Sequence, residues 1–236
     1  MLFFYIRHGD PIYDPDSLTP LGHRQAEAVA KRLALYGVDR IYASTSTRAT
    51  KTARPSCEMT GVPLTTLDFC NEGHAWGELT MMQGEERYWL FQHPEARRLL
   101  VSEELLLLGE RWYEHPAFAD GRAAAGMARI RRESDAFLAS LGYRHIGGGA
   151  YQVVKPNDDR IALFAHQGFG LAFLSTILDV PYPRFCMHFD ICHSGMTVID
   201  FRDEGGAAIP RVLTLSSDSH LYREGLPTYY NREIRF

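Results

Sequence analysis

Two histidines stand in matching places in this sequence. His8 follows Arg7 at the end of the apolar run Leu2-Phe3-Phe4-Tyr5-Ile6, and Gly9 comes next. His166 closes a second apolar run, Arg160 to Ala165, and Gln167-Gly168 opens the next segment. Imidazole is one of the few side chains that act as a nucleophile near neutral pH, provided one ring nitrogen carries no proton. Guanidinium, planar and always charged, is the side chain best shaped to hold a phosphate. The segment Ser44 to Arg48 adds a second arginine at a helix start, and Glu72 adds a carboxyl group able to move a proton. Backbone N–H groups at the start of a helix also attract anions, which suits His166-Gln167-Gly168. A single strand-end histidine is more often structural than catalytic. Two at equivalent positions, with arginines at neighbouring strand ends, point to phosphoryl chemistry.

These residues need elements that deliver them to one edge. The first run reads as a buried strand, and in open α/β sheets ligands bind at the carboxyl ends of strands. After a Pro/Asp-rich loop, Thr19-Pro20 reads as an N-cap followed by proline at the first helical position. Gly22, Ala26, Val29, Ala30 and Leu33 then recur at helical spacing, and Gly37 closes the helix. Asp39 to Ala43 reads as a strand, Thr47 to Thr60 as a helix disturbed by Pro55, and Val62 to Leu67 as a further strand. From about Gly84 to Tyr143 the pattern is helical, with Ala96, Leu99, Leu100, Leu106 and Leu107 on one helix and Ile130, Ser134, Phe137, Leu138 and Leu141 on another. Gly147-Gly148-Gly149 marks a loop or hairpin. Arg160 to Ala165 is again a strand, followed by a helix to Leu178. Met196 to Phe201 and Arg211 to Leu215 read as late strands joined at Gly205-Gly206. The expected fold is α/β, a three-layer α/β/α sandwich. Residues 1–236 form one domain, with 81–158 as an inserted helical cap over the carboxyl edge of the sheet.

The 236-residue length supports one large core, and 45% hydrophobic with 23% charged residues is ordinary for a globular chain. A formal charge of −4 argues against a nucleic-acid partner. Cys57, Cys70, Cys186 and Cys192 show no metal-ligand spacing and read as reduced thiols of a cytoplasmic protein. No run reaches the roughly 18 apolar residues of a membrane span, and the first run is too short for a signal peptide. Neither membrane attachment nor export is expected. Leu105 to Leu108, with Trp112 and Tyr113, read as core or as the interface of a homodimer.

The blocks together resemble the histidine phosphatase superfamily, in its phosphoglycerate-mutase-like branch. The resemblance rests on Arg7-His8-Gly9, on Leu18-Thr19 with Gly22 and Gln25-Ala26, and on Ser44 with Arg48-Ala49 and Thr52-Ala53. It continues in Asn71 to Gly77 around Glu72 and in Phe164-Ala165-His166-Gln167-Gly168. It implies a metal-independent phosphatase, without cofactor, acting on a small phosphorylated substrate. His8 would carry the phosphoryl group. Arg7, Arg48, His166 and Gln167 would bind the phosphate, His166 also sharing in catalysis. Glu72 would protonate the leaving oxygen and later activate water, with Glu78 or Asp10 as rivals. His74 and Trp76 would line the pocket, and His193 would lie near it.

The sequence also departs from the family. A small hydroxyl residue and then an asparagine usually follow the Arg-His-Gly block, whereas here the stretch reads Asp10-Pro11-Ile12-Tyr13-Asp14. An ionised Asp14 facing phosphate would repel it, which raises a binding module without turnover as an alternative. A cofactor-dependent phosphoglycerate mutase is the other alternative. Gly73 stands where mutases hold a basic residue, which favours the phosphatase. Arg97, Arg98, Arg129, Arg131 and Arg132 could receive an acidic substrate, although charge runs on helices are usually solvated faces.

Overall fold

Alternate residues of the first apolar run go to opposite sides of a central sheet. In the computed structural model, which describes residues 1–232 and 234, this run is β1 (Leu2–Arg7). It is followed by a short hairpin of β2 (Pro11–Tyr13) and β3 (Asp16–Leu18), then α1 (Pro20–Tyr36), β4 (Arg40–Ser44), α2 (Thr47–Thr60), β5 (Leu64–Leu67) and α3 (Glu72–Glu78). A second hairpin, β6 (Thr80–Gln83) and β7 (Glu86–Trp89), leads to α4 (Pro94–Leu100), α5 (Glu103–Leu108) and α6 (Arg122–Ser140). Next come β8 (Tyr143–Gly147), β9 (Ala150–Val153), β10 (Arg160–Ala165), α7 (Gln167–Ile177) and α8 (Tyr182–His188). The last elements are β11 (Met196–Asp200), β12 (Ala207–Ala208), β13 (Arg211–Ser217) and α9 (Ser219–Arg223).

The main sheet runs β13-β11-β1-β10-β4-β5. β1, β10, β4 and β5 are parallel, and β11 and β13 continue the sheet antiparallel. Phe3, Tyr5, Ile161, Leu163 and Ala165 pack on one face with residues of α6 and α7. Phe4, Ile6, Ala162 and Phe164 pack on the other face with Val29, Leu33 and Ala53 of α1 and α2. Strands buried on both faces carry continuous apolar runs, which is why period-2 alternation is absent from β1 and β10. Each Phe, Ile, Leu or Val among them contributes about 1.5–3 kcal/mol on burial. The architecture is a mixed α/β sheet between helical layers. Among the described residues no helix is long and apolar enough to cross a membrane.

Several expectations need correction. The Pro/Asp-rich loop is the β2–β3 hairpin, whose three-residue strands are too short to show periodicity. The inserted stretch is not purely helical: it holds the hairpin β6–β7, and β8–β9, which β12 extends to three strands. Ala96 to Leu107 is two helices rather than one. Ser102 interrupts the run and caps α5, accepting from Leu105 N–H at 3.3 Å. Leu105 and Trp112 are core, whereas Leu107 is 82% exposed.

One packing detail bears on the site. A Cβ on Gly9 would stand 2.6 Å from Gly22 O, and one on Gly22 would stand 2.2 Å from Asp10 O. The start of α1 therefore lies backbone to backbone against the turn after His8, an approach only glycine allows.

Candidate active site

Parallel pairing of β1 with β10 puts Arg7 opposite Ala165. The next residue on each strand is a histidine, so His8 and His166 emerge side by side, with ring centroids 5.3 Å apart. The pairing is pinned past the strand ends, where His8 N–H donates to Ala165 O at 2.9 Å and Ser194 N–H donates to His8 O at 3.0 Å. β4, on the far side of β10, ends at Ser44, and Ser46 caps α2 so that Arg48 sits in its first turn. Glu72 opens α3 after the N-cap Asn71.

His8 is buried, and its Nδ1 lies 2.7 Å from Gly9 O. A carbonyl only accepts, so Nδ1 carries the proton and Nε2 keeps its lone pair. Burial, reinforced by the Arg7 and Arg48 charges and the neighbouring His166, holds His8 well below the usual imidazole pKa. The ring is therefore neutral at pH 7. His166 has Nε2 2.8 Å from Ser44 Oγ. Ser44 Oγ already accepts from Ser46 N–H at 3.3 Å, so its own proton is available to Nε2. Ser46 Oγ lies 3.3 Å from the same nitrogen, and with Nε2 accepting from one of these two hydroxyls Nδ1 of His166 carries the N–H.

Arg7 is fully buried. Nη1 donates to Ile191 O at 2.6 Å, and Nη2 donates to Asn231 Oδ1. Arg48 donates from Nη1 to Asp16 Oδ1 at 2.8 Å, and its guanidinium lies over the Tyr13 ring at 5.5 Å. Arg7 Nε, Arg48 Nε and His166 Nδ1 are buried and have no hydrogen-bond partner among the described residues. Leaving such a donor unpaired costs about 1–3 kcal/mol, more for a charged group. Three around one imidazole amount to a cradle for an anion.

Glu72 accepts from Gly168 N–H and Phe169 N–H, both at 2.9 Å, so it closes the first turn of α7 from another element. Burial raises its pKa, opposed by these two amides and by Arg48 and Arg7. Gln167 spends its side chain on Asp190 through Nε2 and on Asn231 through Oε1, the latter at 2.6 Å. What it can offer an anion is therefore its backbone N–H. His193 stacks on His8 at 6.0 Å, and burial pulls its pKa down to about 3.

A cavity of about 850 Å³ opens over His8 and is lined by Arg48, Glu72, Gln167, His193 and aromatic side chains. That volume falls within the range of small-molecule pockets. Neither Arg7 nor His166 is part of this wall; both are fully buried beside His8. Glu78 is also outside, held by Arg129 through two 2.7 Å contacts. Asp10 lines the cavity, and its Oδ2 accepts from the Thr19 hydroxyl at 2.6 Å. Asp14 is exposed on the hairpin turn, away from the cavity. His74 is paired with Asp68 at the surface, whereas Trp76 does line the cavity. Of the five arginines singled out in the inserted segment, four are occupied elsewhere, Arg97 on Phe91 O, Arg129 on Glu78, Arg131 on Asp179 and Arg132 on Glu133, and Arg98 is exposed on α4 outside the cavity lining.

Sequence reasoning missed Tyr13, Asp16, Tyr230 and Asn231 as cavity residues. Asp16 lay in a stretch read as a featureless loop. Asn231 reaches Arg7 across 224 positions of chain, and no local pattern reports such a contact. Its place is fixed by the segment before it. Leu226 packs with Ala28 and Leu221, the Thr228 hydroxyl donates to Asp218 at 2.6 Å, and Tyr229 O accepts from His193 N–H at 2.8 Å.

Trp89, from the inserted segment, covers the start of α7. A Cβ on Gly168 would stand 2.4 Å from its ring.

Comparison with known proteins agrees with this geometry. No curated protein matches the chain. Among solved structures, the phosphoserine phosphatase of Entamoeba histolytica, in complex with 3-phosphoglyceric acid, is similar at TM-score 0.62 and 19% identity, covering 93% of this chain and 98% of that one. A mycobacterial glucosyl-3-phosphoglycerate phosphatase is similar at TM-score 0.58 and 16% identity, covering 92% and 99%. At such identities the likeness is one of fold. The model of the histidine phosphatase superfamily (branch 1) matches residues 4–137. That match takes in His8, Arg48 and Glu72 and spans more than half of the sequence, and the chain belongs to the histidine phosphatase superfamily, branch 1.

Proposed function

We propose that the protein is a phosphoric monoester hydrolase that acts on a small phosphorylated substrate through a phosphohistidine on His8. One observation carries this reading. A neutral imidazole with Nδ1 held by Gly9 O lies among three buried donors, Arg7 Nε, Arg48 Nε and His166 Nδ1, that have no partner among the described residues.

In the first step Nε2 of His8 forms a bond to phosphorus as the ester P–O bond breaks. The three donors oppose the charge that builds on the non-bridging oxygens, an electrostatic role requiring no rearrangement during reaction. Glu72, protonated, gives its proton to the departing alkoxide. Protonation turns one Glu72 oxygen into a donor while the other still accepts from its α7 amide. In the second step water attacks phosphorus, its proton passes to the Glu72 carboxylate, and the P–N bond breaks to release inorganic phosphate. The inserted segment, 81–158, acts as the wall that chooses the alcohol, since Trp89 and Gln92 from it line the cavity.

The test is hydrolysis of a panel of phosphomonoesters in the presence of a chelator. Wild type should release inorganic phosphate, and His8→Ala should not. Isomerisation of a phosphoglycerate instead of hydrolysis would favour a mutase. Binding of inorganic phosphate with no turnover of any ester would favour a binding module.

A further inference from the structure

The wall of the cavity describes the alcohol half of the substrate, the part to which the phosphate is attached, once the site is taken as that of a phosphatase. Beyond His8 the wall is aromatic: Tyr13, Trp76, Trp89 and Tyr230 face it, with the neutral amides of Asn71 and Gln92 between them. Trp76 and Trp89 meet edge to face at 5.0 Å, and Trp76 is 37% exposed, so an indole face is open to a ligand. Gly73 lines the same wall and adds no side chain.

The charges are one-sided. Two carboxylates, Asp10 and Asp16, line the cavity beside the Glu72 carboxyl, and among the described residues the only guanidinium or ammonium group in the lining is Arg48, which Asp16 already holds at 2.8 Å. Three basic residues on the surrounding elements are held away from the cavity. Lys51 donates to Ser17 at 2.8 Å, Arg97 donates to Phe91 O at 2.8 Å, and Arg129 is bound to Glu78. His193 adds no charge at pH 7 because burial keeps it neutral. A substrate that carried a carboxylate or second phosphate beside its ester would meet Asp10, and the one cation of this wall, Arg48, is already shared between Asp16 and the ester phosphate. Like charges brought together in a half-dry cavity repel strongly.

We infer that the alcohol half of the substrate carries no negative charge and presents a flat apolar face that stacks on Trp76. The class is monoesters of aryl-alkyl or comparable planar alcohols, not phosphorylated hydroxy acids.

The experiment compares kcat/KM for 2-phenylethyl phosphate and 3-phosphoglycerate. Both are esters of primary alcohols, so leaving-group chemistry does not decide between them. 2-Phenylethyl phosphate should be favoured by at least about tenfold, the scale of one good aromatic contact added to the avoided repulsion. Trp76→Ala should close most of that gap by lowering kcat/KM for the aromatic ester alone. Asp10→Asn should narrow it from the other side, by raising kcat/KM for 3-phosphoglycerate, and it serves independently if Trp76→Ala fails to fold. His8-dependent turnover with equal preference, or with 3-phosphoglycerate favoured, would overturn the inference and leave the phosphatase reading standing. No turnover of either ester, or of any in the wider panel, would overturn both.

Discussion

Arg7 donates from Nη2 to the side-chain oxygen of Asn231, a residue 224 positions away in the chain. The same amide donates to Gln167 Oε1 at 2.6 Å, and its oxygen lies 3.2 Å from His193 Nε2. The segment after α9 thus fixes a guanidinium that belongs to β1. Asn231 acts through Arg7 and is a positioning residue. Asn231→Ala should lower kcat by roughly 10-fold, the scale of one hydrogen bond to a charged group, with little change in KM. Asn231→Gln should recover part of the loss, and Asn231→Ala should also lower the melting temperature, because the buried Arg7 Nη2 loses its acceptor. A rise in KM with kcat intact would mean that the amide merely closes the cavity wall.

Glu72 gives two linked predictions. Glu72→Gln should impair alkyl phosphates far more than aryl phosphates of acidic phenols, because a good leaving group departs without a proton. The acid's usual contribution of roughly 10²–10⁴ should shrink accordingly. The pH profile is set by the directions of the shifts. His8 is depressed, so the acid limb lies below the ordinary imidazole value, while Glu72 is raised, so the alkaline limb lies above the ordinary carboxyl range. Activity should peak at mildly acidic to neutral pH, and Glu72→Gln should flatten the alkaline limb. An optimum well above pH 8 would contradict a carboxylic acid in this role.

Arg48 presents a different balance. Asp16 takes Nη1, and the buried Nε is left for the phosphate. Arg48→Ala should cost roughly 10²–10³ in kcat, by analogy with removal of one donor from an oxyanion site. Steady-state kinetics with a single ester are enough to check it. A change confined to KM would assign Arg48 to ground-state binding only.

The buried histidines predict how the fold responds to acid. His8, His166, His193 and His220 all have depressed pKa values, chiefly through burial, with His193 near 3 and His220 near 4. Unfolding lets each take up a proton once the pH falls below the ordinary value. Their contribution to stability is therefore complete above about pH 6.5 and is lost as the pH falls towards 3–4. Each adds a slope of up to about 1.4 kcal/mol per pH unit in that window. Urea unfolding at pH 7, 5.5 and 4.5 should show this fall, and His193→Gln should make it shallower. Stability that is flat across the window would contradict neutral, buried imidazoles.

Much of this site was legible because local features encode it. The strand ends at Arg7-His8 and at His166 follow from continuous apolar runs, and Thr19-Pro20 sets where α1 begins, whereas the Asn71 cap that starts α3 at Glu72 gave no helical run long enough to read. The resemblance rested on those same blocks. Three other features are long-range. Asp16 reaches Arg48 only because a three-residue hairpin folds back over α2, and such short strands leave no periodic trace. Asn231 arrives through tertiary packing of Leu226 and Thr228. The β6–β7 hairpin looked helical because Glu, Arg and Met favour helices, yet Trp89 is drawn onto the bare backbone of Gly168, and that contact decides its place.

Rapid quench with phosphate-labelled substrate tests the central claim most directly. Mixing wild-type protein with the labelled ester for milliseconds and stopping in alkali should leave label on the protein that is stable to base and labile to acid. Peptide mapping should place it on His8. Label on another residue, or full turnover with no labelled protein at any time and undiminished activity in His8→Ala, would contradict the account.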